Sequence, residues 1–161
     1  MIEIRCPEVL ERIPYQYRSY IAIFMAGGIT GCPNWQNEIA TDPRYKDSKI
    51  FLINPRRDSF DCSKAESSQE QINWEYRHLQ LSDKVFVWFP KEGACAITLF
   101  ELGWLVGTNK DIAVGVEPGY ARELDVYEQL KLRKPRLQIA KTLDELYSPL
   151  LSLSQSEKPW Q

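Results

Sequence analysis

Short apolar runs alternate with longer amphipathic stretches along almost the whole chain, and this alternation constrains the fold more than any other feature. The short runs predict buried strands, whereas the longer stretches carry apolar residues at helical spacing. A repeated order of strand and helix is typical of a mainly parallel sheet with helices on both faces. The sequence therefore predicts an α/β fold.

Five strands and five helices are predicted. The strands are Tyr20–Ala26, Ile50–Ile53, Lys84–Phe89, Ile112–Val116 and, as the weakest of the five, Leu137–Ala140. The helices cover about 34–41, 69–81, 98–108, 120–130 and 142–151. We interpret residues 1–151 as one domain and the polar segment 152–161 as a loose C-terminal tail.

The composition argues against several classes of protein. The chain has 20 Lys and Arg against 22 Asp and Glu, without a long basic block, so we expect no nucleic-acid partner. No apolar run approaches the roughly 18 residues of a membrane-spanning helix, and the N-terminal residues resemble no targeting peptide. The cysteines, Cys6, Cys32, Cys62 and Cys95, form no C-x-x-C pair. We therefore predict reduced thiols in a cytoplasmic protein.

The loops that follow the predicted strands are the expected place of a functional site, because open α/β sheets bind ligands beyond the carboxyl ends of their strands. The first strand is followed by Gly27-Gly28-Ile29-Thr30-Gly31, whose backbone N–H groups suit a phosphate, a ribose or a carboxylate. The loop has neither the dinucleotide-binding spacing nor that of a P-loop. A tight turn without a ligand is the alternative.

A second loop at this edge is Asn54-Pro55-Arg56-Arg57-Asp58. Its two guanidinium groups and its amide could hold an anion or sugar hydroxyls. The alternative is a solvated turn whose arginines pair with nearby acids. Trp35, Trp74 and Trp88 are candidate walls for a nucleobase, since aromatic faces suit such ligands, although the core is the more ordinary place for each.

Two glutamates are the candidate catalytic residues. Glu101 follows Thr98 by three residues at the start of an apolar helix. This is either a capping box or an anion favoured by the helix dipole, which could act as a nucleophile. Glu75, in the preceding helix, should face the same edge and could share nucleophile and proton-transfer duties with it. The alternative is a solvated Glu75. The histidine, His78, lies deeper in that helix, where we expect a structural role.

Four segments carry motifs of a known family. They are FMAGGITGCPNWQ (24–36), INPRRDSFD (53–61), EQINWEYRHLQLSDKVFVWFP (70–90) and ITLFELGWLVG (97–107). In this order and spacing they resemble the nucleoside 2-deoxyribosyltransferase-like family, over roughly residues 20–120. The resemblance implies a flavodoxin-like three-layer α/β/α fold, here with a mainly parallel five-stranded sheet. It also implies cleavage or transfer at the N-glycosidic bond of nucleosides or nucleotides.

The resemblance also implies roles for particular residues. Glu101, in the E-L-G motif, matches the family's nucleophile, which attacks the anomeric carbon. Glu75 matches an acidic residue that contacts the base, and the Gly27–Thr30 loop matches the one that lines the sugar or phosphate pocket. The implied reaction passes through a glycosyl-enzyme ester, which a second base or water then takes. It needs no metal or organic cofactor.

Two departures from the family favour a different function. The transferases carry an aspartate shortly before the E-L-G motif, where this chain has Ala94, Cys95 and Ala96. Many also use a tyrosine in the first strand to orient the nucleophile, and here the nearest match is Phe24. An unoriented nucleophile loses effective molarity. The alternative is therefore a non-catalytic nucleotide-binding or sensing domain on the same fold.

On balance we expect an enzyme that cleaves or transfers at an N-glycosidic bond, with Glu101 as its catalytic residue. The substrate-binding residues would be Gly27, Gly28, Ile29, Thr30, Asn54, Arg56, Trp74 and Glu75. The expected partner is a small-molecule nucleoside or its 5′-monophosphate, with no membrane partner. Transfer or hydrolysis, the preferred base and sugar, and a homo-oligomeric state stay open at this point.

Overall fold

The computed structural model describes residues 1–59 and 65–153. Within these ranges six strands form one parallel sheet in the order β1-β3-β2-β4-β5-β6. The strands are β1 Ile2–Arg5, β2 Ile21–Gly27, β3 Ile50–Asn54, β4 Lys84–Phe89, β5 Asp111–Val116 and β6 Ile139–Ala140. The predicted α/β fold with a parallel sheet is confirmed.

Strand β1 is the element that the sequence did not reveal. It pairs with β3 at the edge of the sheet, with Ile4 opposite Ile53. Its four residues alternate apolar and charged side chains and are all partly exposed, so they form no apolar run that stands out from the surrounding loop. The sheet has six strands rather than five, and the other five strands lie within two residues of their predicted bounds.

The helices fill the connections between the strands. They are α1 Trp35–Thr41, α2 Ala65–Leu81, α3 Ala96–Val106, α4 Glu123–Arg133, α5 Leu143–Tyr147 and α6 Leu150–Leu153. The helix predicted over 142–151 is two short helices separated at Pro149, which cannot continue a helix. The first two residues of the predicted tail, 152–153, belong to α6, and the rest of it, 154–161, lies outside the described residues. None of the helices in the described ranges is long and apolar enough to cross a membrane.

Two apolar clusters cover the two faces of the sheet. Neighbouring residues of a strand point to opposite faces, so Phe24 packs with α2, α3 and α4 while Met25 packs with α1 and α5. Leu102 and Leu105 of α3 belong to the first cluster, and Trp35 of α1 belongs to the second. The sheet is thus the middle layer of a three-layer α/β/α fold.

The order of the strands places a topological switch point between β2 and β4. From β2 the chain runs through α1 to β3 on one side, and it then crosses through α2 to β4 on the other side. Without β1, this is the flavodoxin-like strand order. The loops after β2 and β4 leave in opposite directions, and a crevice opens between them at the carboxyl ends of the strands.

Candidate active site

A pocket of about 490 Å³ opens at this switch point. Its walls are the loop after β2, the helix α2, the segment before α3 and the first two turns of α3. Glu75 and Glu101 both line it, as do the four residues of the predicted glycine loop, Gly27, Gly28, Ile29 and Thr30. The volume is in the range of small-molecule sites, about 300–1,000 Å³, so the pocket can hold a nucleoside.

The glycine loop lies against backbone and aromatic rings that leave no room for a side chain. A Cβ on Gly27 would come within 2.5 Å of the Trp88 carbonyl oxygen and 2.6 Å of the Trp35 ring. The indole Nε1 of Trp35 donates a hydrogen bond to the Gly28 carbonyl oxygen at 3.0 Å. Trp35 and Trp88 are therefore buried supports of the loop, and neither lines the pocket.

Two cysteines that are distant in the sequence meet behind the glycine loop. A Cβ on Gly28 would lie 2.7 Å from Sγ of Cys32 and 2.9 Å from Sγ of Cys95. Both thiols line the pocket, and burial raises the pKa of each, for Cys95 to about 12. They are therefore neutral at physiological pH. Across 1–59 and 65–153, no group of three or more His, Cys, Asp or Glu could hold a metal ion.

Asn54 and Arg56, both predicted to bind substrate, have their polar atoms engaged elsewhere. The Arg56 guanidinium donates to the carbonyl oxygens of Ile29 at 3.2 Å and Pro33 at 2.8 Å, which braces the glycine loop from outside. The Asn54 side chain accepts from the Arg56 backbone N–H at 2.9 Å and donates to Glu3 at 2.7 Å. Neither residue lines the pocket. In this structure Arg56 supports the glycine loop and Asn54 holds Arg56, and their binding of substrate stays a prediction.

Trp74, also predicted to bind substrate, has its ring in the core and outside the pocket. Its Nε1 donates to the Glu8 carbonyl oxygen at 2.7 Å, and its ring stacks on His78 with 3.9 Å between centroids. His78 is fully buried and accepts a hydrogen bond at Nε2 from the Leu10 N–H at 3.0 Å. Burial lowers the pKa of His78, which is consistent with a structural role.

Glu75 lies on the α2 wall of the pocket with a hydrogen-bond donor beside it. The side-chain Nε2 of Gln71, one helical turn earlier, donates to Glu75 Oε1 at 2.7 Å. Burial raises the pKa of Glu75, while this hydrogen bond and the nearby Arg57 charge act in the opposite direction. Glu75 thus has partial compensation for the cost of burying its anion.

Glu101 lies on the α3 wall without such a donor. Helix α3 begins at Ala96 after Cys95, so Thr98 is already inside the helix and buried, and no capping box forms. Glu101 lies in the second turn, so the predicted stabilisation of its anion in a first turn is also wrong. No described residue donates a hydrogen bond to its carboxylate, and burial together with the Glu75 charge raises its pKa to about 8.

The two carboxyl groups line the same largely apolar pocket, and the charge of Glu75 raises the pKa of Glu101. Two buried carboxylates that repel each other cannot both ionise cheaply, so such a pair tends to hold one proton near neutral pH. A pair of this kind has both a proton to give and an anion that can attack or accept a proton. Cleavage of a glycosidic bond requires these two groups, a proton donor and a carboxylate.

A family model described as nucleoside 2-deoxyribosyltransferase-like matches residues 20–120, the segment that contains the glycine loop, Glu75 and Glu101. The chain belongs to the nucleoside 2-deoxyribosyltransferase-like family. Membership supports glycosyl transfer at a nucleoside as the general class of chemistry, and a small-molecule nucleoside as the ligand. No curated protein matches the chain.

One departure from the transferases of this family has a visible consequence at the site. Phe24, which the resemblance gives as the nearest match to a tyrosine of many transferases, lines the pocket with a buried ring. A phenylalanine has no hydroxyl group, so it cannot donate the hydrogen bond that would orient and stabilise an anionic glutamate. The absence of a described donor to Glu101 agrees with this substitution.

Sequence reasoning missed part of the α2 wall. Ser68 and Gln71 line the pocket together with Glu75. They precede Glu75 by two turns and one turn of the helix, so the three residues share one face. That spacing was visible in the sequence once Glu75 was chosen. Of the two arginines predicted to be able to hold an anion, Arg57 lines the pocket and Arg56 does not.

Proposed function

We propose that this protein cleaves the N-glycosidic bond of a nucleoside or nucleoside 5′-monophosphate through a glycosyl-enzyme intermediate on Glu101. The observation that carries the proposal is the coupled pair of carboxyl groups, which come from two different helices into one pocket at the switch point. Family membership supplies the substrate class, a nucleoside. Glu75 acts on the base, and the Gly27–Thr30 loop binds the sugar side.

In the proposed first step, one carboxylate oxygen of Glu101 attacks C1′ of the sugar. The C1′–N bond breaks through an oxocarbenium-like transition state, an ester bond forms between Glu101 and C1′, and the base leaves with a proton. In the second step another base or water attacks C1′, and the ester bond to Glu101 breaks. Attack by a base is transfer of the sugar, and attack by water is hydrolysis. Glu75 gives and takes the proton of the base in these steps.

The proposal implies a dependence on pH with a definite sign. Only the ionised form of Glu101 can attack, and burial beside Glu75 raises the pKa of Glu101 to about 8. Because the leaving base also takes a proton from the pair, we expect base release to be greatest while the pair holds one proton and to fall as pH rises past about 8. A profile that keeps rising above pH 8 would contradict these roles of the two carboxyl groups.

Two features bear on whether the substrate carries a 5′-phosphate. Arg57 and Ser68 line the pocket and are suited to an anion. The Arg57 guanidinium also pairs with Glu70 at 2.8 Å, so a phosphate would have to share it. Nucleosides and their 5′-monophosphates are therefore both proposed as substrates, and the panel of substrates described below distinguishes them.

A second candidate function is nucleotide binding without turnover. The observation in its favour is Glu101 itself, because a carboxyl with a raised pKa and no described donor is mostly protonated at pH 7. Such a residue would attack poorly, while the pocket would still bind a nucleoside. A binder would be stabilised against heat by nucleotides and would release no base.

The test is chromatography of the base released from deoxynucleosides, ribonucleosides and their 5′-monophosphates, with and without an acceptor base. Wild type is compared with Glu101→Gln and with Glu128→Gln, an exposed glutamate on α4 that serves as the matched control. A new nucleoside formed only with acceptor indicates transfer, and free base without acceptor indicates hydrolysis. Base release that survives in Glu101→Gln, or thermal stabilisation with no release from any substrate, would overturn the proposal.

A further inference from the structure

The side-chain amide of Gln71 has partners on both sides. Its Oε1 accepts from Nε of Arg57 at 2.7 Å and from Sγ of Cys6 at 3.2 Å. Its Nε2 donates to the Pro55 carbonyl oxygen at 2.8 Å and to Glu75 Oε1 at 2.7 Å. A half-buried glutamine with four such contacts links the loop after β3 to the candidate catalytic pair.

These partners determine which way the amide faces. An arginine Nε–H can only donate, so the atom of Gln71 that faces Arg57 must be the oxygen. A backbone carbonyl can only accept, so the atom that faces Pro55 must be the nitrogen. The two constraints agree, and the group that Gln71 turns toward Glu75 is therefore an N–H donor.

This donor distinguishes the two carboxyl groups. Glu75 receives an N–H bond, and a hydrogen bond to the charged form of a carboxyl favours that form. Glu101 receives no donor from the described part of the chain, so nothing comparable offsets the burial of its anion. When the pair holds one proton, the proton belongs on Glu101.

We propose that Gln71 is a positioning residue that keeps Glu75 ionised and leaves the proton of the pair on Glu101 in the empty site. While Glu101 holds this proton it cannot attack, and the same proton is the one that the leaving base needs. As Glu101 attacks C1′, its proton passes by way of Glu75 to the nitrogen of the departing base. The products are the Glu101 ester, the neutral base and an ionised Glu75, so protons and charge balance. This cycle rests on the proposed function, whereas the location of the proton does not.

The other titratable groups near the pair do not compete for this proton. Arg57 lies in the loop after β3 and stays charged, and Glu70 of α2 pairs with it at 2.8 Å. Burial raises the pKa of Cys6, beside Gln71, as it does for the two thiols that line the pocket, Cys32 and Cys95. All three thiols stay neutral through the range in which the carboxyl groups titrate.

The proton can be located without any substrate. Protein labelled with ¹³C at the glutamate side-chain carboxyl carbon is titrated by NMR, and the Glu75→Gln and Glu101→Gln variants assign the two signals. In wild type we expect the higher midpoint, near pH 8, to belong to Glu101. Gln71→Met keeps the length of the side chain and removes the donor, so we expect the higher midpoint to pass to Glu75. Gln80→Met, an exposed position on the same helix, is the matched control.

Several results would overturn the proposal. One is a wild-type spectrum in which Glu75 has the higher midpoint, and another is a Gln71→Met spectrum in which the order of midpoints is unchanged. Should Gln71→Met fail to fold, Glu75→Gln tests the coupling, because the midpoint of Glu101 must then fall. If no substrate is cleaved at all, the proposed function fails while the NMR result still decides the role of Gln71.

If base release is measured, the same variants give a kinetic readout that a merely structural role would not produce. In Gln71→Met we expect the falling limb of kcat/KM against pH to shift by roughly one pH unit, a tenfold change in rate at a fixed pH on that limb. A uniform loss of rate with an unshifted limb would contradict the proposed role.

Discussion

The two walls of the pocket carry the same side chain in different surroundings. On the α2 wall, Glu75 has the Gln71 donor at 2.7 Å and the Arg57 charge nearby. On the α3 wall, Glu101 lies beside Ala96 and Ile97 and has no donor from the described residues. Both are partly buried, so burial alone does not separate them. The comparison shows that hydrogen-bond donors, rather than depth, distinguish the surroundings of these two equal carboxyl groups.

The largest effect is expected from replacing Glu101, the proposed nucleophile on the α3 wall. Glu101→Gln keeps the shape of the side chain and cannot form the ester, so base release should fall by at least about 10³-fold. Glu101→Asp keeps a carboxylate but withdraws it by one methylene group, and its rate should lie between those of wild type and Glu101→Gln. Initial rates by chromatography measure this order. Equal rates for wild type and Glu101→Gln would remove the distinction between the walls.

The next largest effect is expected from removing the charge of Glu75 on the α2 wall. Glu75→Gln abolishes the repulsion that raises the pKa of Glu101, so the change in kcat/KM that wild type shows near pH 8 should move to lower pH. The same variant loses the group that handles the proton of the base, and kcat should fall by roughly 10²–10⁴-fold. A pH–rate profile separates the two consequences. An unshifted limb would mean that the two carboxyl groups are not coupled.

A smaller effect is expected from a substitution that offers Glu101 a hydrogen-bond donor, as Glu75 already has on the α2 wall. Phe24→Tyr adds a hydroxyl group to a ring that lines the pocket, and a hydroxyl that donates to Glu101 would lower its pKa. Base release at pH 7 should rise by up to about tenfold, since one pKa unit changes the ionised fraction by that factor. Phe86→Tyr, in the neighbouring strand and outside the pocket, is the control. No gain at pH 7 with an intact fold would contradict the explanation for Phe24.

The smallest effect is on stability. Folding raises the pKa of Glu101, so the folded state binds this proton more tightly than the unfolded state does. The contribution to stability is complete below the unfolded value of about 4.3, and it is lost as pH rises through about 8. The melting temperature of wild type should therefore fall over this range more than that of Glu101→Gln. Parallel curves for the two proteins would contradict the raised pKa.

How much the sequence could predict differs between the fold and the site. The four strands from Ile21 to Val116 were predicted closely, because each is a buried apolar run between turn residues. Strand β1 was not, because its alternation is short and charged. The edge rule correctly brought the glycine loop, Glu75 and Glu101 to one pocket, since it depends only on the order of the elements.

The finer features of the site depend on side-chain packing, which sequence patterns do not encode. Arg56 and Arg57 are neighbours with the same chemistry, yet only Arg57 lines the pocket, because Arg56 turns back to the carbonyl oxygens of the glycine loop. Trp74 shares α2 with Glu75 but faces the core. The Thr98 capping box failed because the helix starts three residues earlier than its motif suggested, with Cys95 rather than Thr98 at the N-cap.

The most direct test of the account is to capture the glycosyl ester. A 2-fluoro-2-deoxy sugar nucleoside slows both steps, because fluorine destabilises the oxocarbenium-like transition state, and a good leaving base restores the first step. Intact mass followed by peptide mapping then locates the adduct. The account predicts one sugar per chain on the peptide that contains Glu101, and none in Glu101→Gln. Base release by wild type with the sugar on Glu75, or with no adduct under any condition, would contradict it.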